Sequence, residues 1–322
     1  MESALDRVAP IRPALIEGLL YERSVLLVSA DGGTGKSTLL ANVIAQASLG
    51  LPVFNTLHVP KPLLCYYIPF ERGSEEILER LKHMREVIRF KSDNIRIFDN
   101  EDFLPNLYDK ADQDAILDSI QRDCPDRPPD LVAYDPIYQA VAGGLCNEDR
   151  VSIFIRFNVR LMKEFGCATW LNHHTGKQGY ASDGTKILKD DPYYGSSFLR
   201  NHCTASYYVK ESDDKGGTTW LIKKDNLKAM LKKLDLSYED ETYTSFIKDD
   251  LSGLTAPDRL KVVLRQFKHQ QQNFTFKQVE GCLVGVSTSR LRTLFSTPPF
   301  CDVLKKQKAL GEKTLYTVEG EI

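Results

Sequence analysis

The residues best suited to chemistry lie close together near the start of the chain, in Ala30-Asp31-Gly32-Gly33-Thr34-Gly35-Lys36-Ser37-Thr38. A β-branched and leucine run over 24–29 precedes them. After them Leu39, Leu40, Val43, Ile44 and Ala47 recur at helical spacing. Strand, glycine-rich turn and helix form the context in which backbone N–H groups curl around phosphate oxygens. Glycines remove the Cβ that would clash, and the helix N-terminus adds partial positive charge. Gly32, Gly33, Thr34, Gly35, Lys36, Ser37 and Thr38 are therefore expected to bind the phosphates of ATP. Lys36 would reach the β- and γ-phosphates and Ser37 would coordinate Mg²⁺. Ala30 stands where the usual pattern begins with glycine.

Hydrolysis needs a group that positions or deprotonates the attacking water, and a carboxylate ending the strand beside the phosphate-loop strand would serve. Glu71, after Cys65-Tyr66-Tyr67-Ile68-Pro69-Phe70, is that carboxylate or else an ordinary helix-cap acid. Asp135 follows the apolar strand Leu131-Val132-Ala133-Tyr134, where a metal-holding aspartate sits, or is a turn residue before Pro136. A further strand ends in His173-His174. Adjacent residues on a strand point to opposite faces, so at most one of them addresses the nucleotide as a sensor.

Short apolar runs at 63–68, 95–98, 131–134 and 168–172 alternate with helical patterns such as 75–88 and 151–165, the signature of a parallel sheet covered by helices. The fold class expected is α/β. Residues 175–194 carry no periodicity and read as a long loop, and strand-like runs follow at 204–210 and 218–223. Asp249 to Pro257 is the linker candidate, giving domains at 1–250 and 251–322. In the second, helical patterns at 258–270, 276–283 and 287–295 precede two strands at 303–309 and 314–318. Three helices and a basic hairpin suggest a small winged helix-turn-helix-like domain.

The phosphate loop, Phe70-Glu71, Tyr134-Asp135-Pro136, Asn172-His173-His174-Thr175-Gly176-Lys177 and Gly195-Ser196-Ser197, together with Leu15-Ile16-Glu17-Gly18-Leu19-Leu20, resemble the RepA-like branch of RecA-fold ATPases. That branch includes hexameric replicative helicases of the RepA and DnaB type. The resemblance covers residues 12–230. It implies a RecA-like P-loop core with a mostly parallel sheet, Lys36 and Ser37 on nucleotide and metal, Glu71 as catalytic carboxylate, Asp135 as Walker B residue, and His174 or His173 as γ-phosphate sensor. It also implies a hexameric ring completed by a neighbour's arginine finger. This chain departs from the pattern there, and Arg200 and Lys224 are the candidate cations, with a solvated surface charge as the other reading of each.

Under the same resemblance, loop 175–194 corresponds to a pore loop gripping single-stranded DNA, with Lys177, Lys186 and Lys189 for phosphates and Tyr180 for stacking; a solvated loop is the plainer reading. In the tail, Arg290, Arg292, Lys305, Lys306 and Lys308 would meet duplex DNA, although such domains also dock proteins.

Composition narrows the classes. The 322 residues are 42% hydrophobic and 27% charged, which supports a core and excludes global disorder. No apolar stretch approaches a membrane span and no signal-peptide pattern opens the chain, so the expected address is cytoplasmic, away from membranes. Net charge is −2, but residues 255–322 hold eleven basic against six acidic residues. The seven scattered cysteines form no Cys-x-x-Cys pair, which argues against a zinc site or a disulfide framework. The function expected is an ATP-hydrolysing, ring-forming motor on single-stranded DNA, a helicase of a plasmid, phage or mobile element, with a separate primase or initiator as partner. The alternative is an ATP-switched DNA-binding regulator or loader.

Overall fold

The computed structural model describes residues 12–54, 56–71, 73–88, 93–99, 104–141, 144–175, 195–212, 217–239 and 244–247, and in the C-terminal part 256–257, 260–261, 264, 274–276, 279, 287–308 and 314–319. The chain forms two compact units, Met1–Ile247 and Lys248–Ile322.

The first unit opens with a small antiparallel pair, β1 (Ala14–Ile16) and β2 (Leu20–Tyr21). Among the described residues the main sheet has nine strands: β3 (Val25–Ala30), β4 (Cys65–Pro69), β5 (Ile95–Ile97), β6 (Leu131–Asp135), β7 (Ala168–His174), β8 (Ala205–Glu211), β9 (Gly217–Asp225), β10 (Lys233–Glu239) and β11 (Thr244–Ile247). Their order is β11-β10-β9-β8-β3-β7-β6-β4-β5. From β8 through to β5 the pairing is parallel, and β9 to β11 extend it antiparallel. The helices are α1 (Lys36–Ser48), α2 (Gly73–Ile88), α3 (Lys110–Asp123), α4 (Ile137–Ala140), α5 (Glu148–Phe165) and α6 (Ser197–His202).

Side-chain parity sorts the sheet into two cores. Along β3, β4, β6 and β7, the set Leu26, Val28, Ala30, Cys65, Tyr67, Leu131, Ala133 and Trp170 packs with α1 and with Ile77, Leu81 and Met84 of α2. The alternate set, Val25, Leu27, Tyr66, Ile68, Val132, Tyr134 and Leu171, packs with Ile116 and Ile120 of α3 and Phe154, Phe157 and Leu161 of α5. Strands covered on both sides read as the near-continuous apolar runs seen in the sequence. On the first face Trp220 of β9 meets Phe54, Trp170 and Tyr207 edge-on, with ring centroids 5.7–6.1 Å apart. Helix α5 starts where the Asn147 side chain accepts from Arg150 N and stops at Gly166, whose φ of 72° suits glycine.

In the second unit α7 (Thr288–Phe295) is capped by the Ser287 hydroxyl, which accepts from Arg290 N, and α8 (Phe300–Val303) leads into β13 (Leu304–Lys308). With β12 (Phe274–Thr275) and β14 (Thr314–Val318) this makes a three-stranded antiparallel sheet ordered β12-β14-β13. Leu260, Leu264, Val279, Leu291, Leu294 and Phe300 form its core. Among the described residues no helix is long and apolar enough to cross a membrane, and no cluster of His, Cys, Asp and Glu could hold a metal ion.

Candidate functional site

A cleft of about 350 Å³ opens at the C-terminal edge of the parallel strands, where β3 gives way to α1. Gly33 and Gly35 turn the chain there with φ of +81° and +84°, a conformation that side-chain-bearing residues rarely adopt. Nothing lies within 4 Å of where a Cβ would stand on either, so the loop encloses open space faced by backbone. Lys36, buried at the head of α1, donates to the carbonyls of Ala30 (3.0 Å) and Asp31 (2.8 Å). Burial lowers its pKa, opposed by the carboxylates of Asp135, Asp31 and Glu71.

The parity that places Leu131 and Ala133 on the α1 face also puts Asp135 there, and Trp170 on that face brings Asn172 and His174 with it. Asp135 is 4% exposed and accepts from both sides: the Tyr67 hydroxyl donates to Oδ2 (2.6 Å) and the Asn172 side-chain amide to Oδ1 (3.0 Å). The Asn172 amide is itself oriented by Trp170, whose indole N–H donates to its Oδ1 at 2.8 Å.

His174 ends β7 inside the cleft. Its Nδ1 is 3.4 Å from Lys36 Nζ and its Nε2 4.0 Å from the Glu71 carboxylate, and its ring meets Tyr138 edge-on. Burial, then the Lys36 ammonium, lowers the His174 pKa from 6.5, while Glu71 and Asp135 pull it back. One residue on, the Thr175 hydroxyl bonds the Asp31 carboxylate of the phosphate loop, and Thr175 N donates to the Ala30 carbonyl at 3.1 Å.

Contrary to the expectation from sequence, Glu71 does not end the strand beside the phosphate-loop strand: β3 is flanked by β7 and β8, and β7 and β6 separate it from β4. Glu71 still lines the cleft, because every parallel strand delivers its C-terminal end to the same edge. Gly33, Gly35, Lys36, Ser37, Thr38 and Asp135 line it as well. His173 is fully buried on the opposite face and does not line it.

Arg200 and Lys224 lie outside this cleft. The Lys224 ammonium donates to the carbonyls of Arg200 and Asn201, both at 2.9 Å, tying β9 to the end of α6. Both flank the start of β8, where Thr204 bonds Val25, so within one chain they sit at the sheet edge remote from the phosphate loop. Lys177, Tyr180, Lys186 and Lys189 lie outside the described residues. In the second unit Arg290, Arg292, Lys305 and Lys306 are exposed, and Lys308 is on β13.

Sequence reasoning missed Tyr67, Asn172 and Arg80. Period-two alternation in 65–69 and 168–174 could have placed the first two on the α1 face. Arg80 stands three residues after Ile77, and both line the cleft from α2.

A glycine-rich loop at the head of a helix, a buried aspartate on a nearby strand and a parallel sheet aimed at one edge are the layout of a P-loop nucleotide-binding domain. The chain belongs to the AAA domain family, whose model matches residues 2–180. Among solved structures it is similar to the RadB recombinase (11% identity, TM-score 0.47, covering 71% of this chain and 92% of that one). It is also similar to a KaiC-like protein of the hyperthermophilic archaeon Pyrococcus horikoshii OT3 (15% identity, TM-score 0.48, covering 75% and 98%). No curated protein matches it by sequence.

Proposed function

We propose that this ATPase is a ring-forming motor of the RepA/DnaB-like branch that hydrolyses ATP to act on single-stranded DNA, a replicative-type helicase of a plasmid, phage or mobile element. The observation that carries the reading is the placement of His174 between Lys36 and Glu71, one residue before Thr175 and the segment 176–194 that is proposed to touch DNA.

The residues fit an ATP substrate. Backbone N–H groups of 33–38 would face the phosphates, and Lys36 can exchange its two carbonyl partners for β- and γ-oxygens. Ser37 and Asp135 are suited to hold Mg²⁺, a hydroxyl and a buried carboxylate with acceptor capacity left on both oxygens. When bound, that ion would neutralise charge on the β- and γ-phosphates. Glu71, 43% exposed at the side chain, can orient and deprotonate a water. His174 touches the lysine that follows the γ-phosphate and the acid that follows the water, so loss of the phosphate changes its surroundings and those of Thr175 next to it.

The ring, its trans-acting cation (Arg200 or Lys224), the partner primase or initiator and a cytoplasmic address belong to the same proposal. The C-terminal unit is proposed as a winged-helix-like DNA contact, supported by exposed Arg290, Arg292, Lys305 and Lys306. A second reading, an ATP-switched regulator or loader, is favoured by the engagement of Lys224 with its own chain's carbonyls.

The test is ATP turnover without DNA, with single strands and with duplex, using Lys36→Ala as blank. Strong stimulation by single strands is expected of the motor. Slow turnover indifferent to them overturns it in favour of the switch.

A further inference from the structure

We infer that Asn172 is a positioning residue for the metal-binding carboxylate, held in one orientation by Trp170. This rests on the reading of Asp135 as a Mg²⁺ ligand. A side-chain amide can present either its oxygen or its NH₂ to a neighbour, and an indole can only donate. Because Trp170 Nε1 donates to Asn172 Oδ1 at 2.8 Å, the NH₂ is turned toward Asp135 and donates to Oδ1 at 3.0 Å. Tyr67 holds the other oxygen at 2.6 Å, so the carboxylate plane is pinned from two strands, β4 and β7, that flank β6. Trp170 and Asn172 are fully buried, so their bond is formed away from water, while Tyr67 and Asp135, each 4% exposed, stand at the wall of the cleft.

The relay also sets a link within β7. Trp170, Asn172 and His174 occupy alternate positions on the α1 face, so the strand that carries the proposed γ-phosphate sensor also carries the donor that orients the metal ligand. A shift of β7 along its axis changes both. Metal and terminal phosphate are thereby reported by one rigid element.

The test uses the full chain and a fluorescent ATP analogue whose binding is followed with rising Mg²⁺ and again in EDTA. Asn172→Leu keeps the branched shape and the number of heavy atoms and removes the donor. It is expected to raise the Mg²⁺ concentration for half-maximal binding by about 10- to 100-fold while leaving binding in EDTA unchanged. Trp170→Phe, which removes the indole N–H and keeps an aromatic ring, is expected to shift it in the same direction by less, with the fold checked by circular dichroism. Asp135→Ala is the reference. If Asp135→Ala shifts the Mg²⁺ dependence and Asn172→Leu and Trp170→Phe do not, the positioning role is wrong. If Asp135→Ala shifts nothing, the metal-ligand reading itself falls. Equal loss with Mg²⁺ and in EDTA for both relay variants would assign them to folding alone and overturn the proposal.

Discussion

The Nδ1 atom of His174 lies 3.4 Å from the Lys36 ammonium, so the ring at the end of β7 and the lysine at the head of α1 share one small volume. Two cations cannot be held there without cost. The histidine yields, its pKa falling below 6.5 through burial and then through Lys36.

The sign of the pH dependence follows. A histidine with a depressed pKa binds fewer protons folded than unfolded as the pH falls below 6.5, so the folded state loses stability there and keeps it above. His202, lowered by burial and then by Lys224, acts in the same direction. Thermal melting of the parent should fall as pH drops from 7 toward 5, and less steeply in His174→Gln; identical slopes would remove His174 as a contributor.

Glu71→Gln keeps the shape of the cleft and removes the carboxylate proposed as the base. Turnover is expected to fall by about 10²- to 10⁴-fold while ATP binding persists. Turnover within a factor of two of the parent would assign the water to another group.

The indole of Trp220 is fully buried against Phe54, Trp170 and Tyr207. Trp220→Ala should destabilise the chain by about 3–5 kcal/mol in urea unfolding followed by circular dichroism, because apolar burial is removed and a cavity is left behind. A loss below 1 kcal/mol would mean that the cluster collapses around the gap.

Arg290, Arg292, Lys305 and Lys306 replaced together by alanine should weaken duplex binding in low salt. The salt slope should shrink by up to about 0.9 for each phosphate no longer neutralised, with ATP turnover in the absence of DNA unchanged. An unaltered titration would assign these charges to solvent or to a protein partner.

How far the sequence could be read depended on distance along the chain. The phosphate loop was legible because strand, glycines, lysine and helix are contiguous and their roles are local. Asp135 was legible from its place after an apolar strand. Helix α3 was harder to see although Asp109 caps it, accepting from Ala111 N, and Ile116, Leu117 and Ile120 mark its buried face, since polar residues dilute the pattern. Strand β10 alternates, with Leu234 and Leu236 buried, but it opens on Lys233 directly after Lys232. The relay from Trp170 to Tyr67 was not legible at all. Asp135 lies 37 residues from Asn172 and 68 from Tyr67, and their meeting depends on a strand order that no local pattern encodes. The same order explains why Glu71 reaches the cleft from a strand that is not a neighbour of β3.

The central place of β3 also sets a timetable for biosynthesis. Its partners are β7 and β8, so Lys36 waits for a histidine 138 residues later, and Val25 for a threonine 179 residues later. A ribosome will have released the whole glycine-rich loop long before either neighbour emerges. Until then this fully apolar-flanked strand has no permanent companion and is a surface for chaperones or for misassembly. Nucleotide affinity should therefore be absent from nascent chains arrested before β7 and appear abruptly once β8 has cleared the exit tunnel.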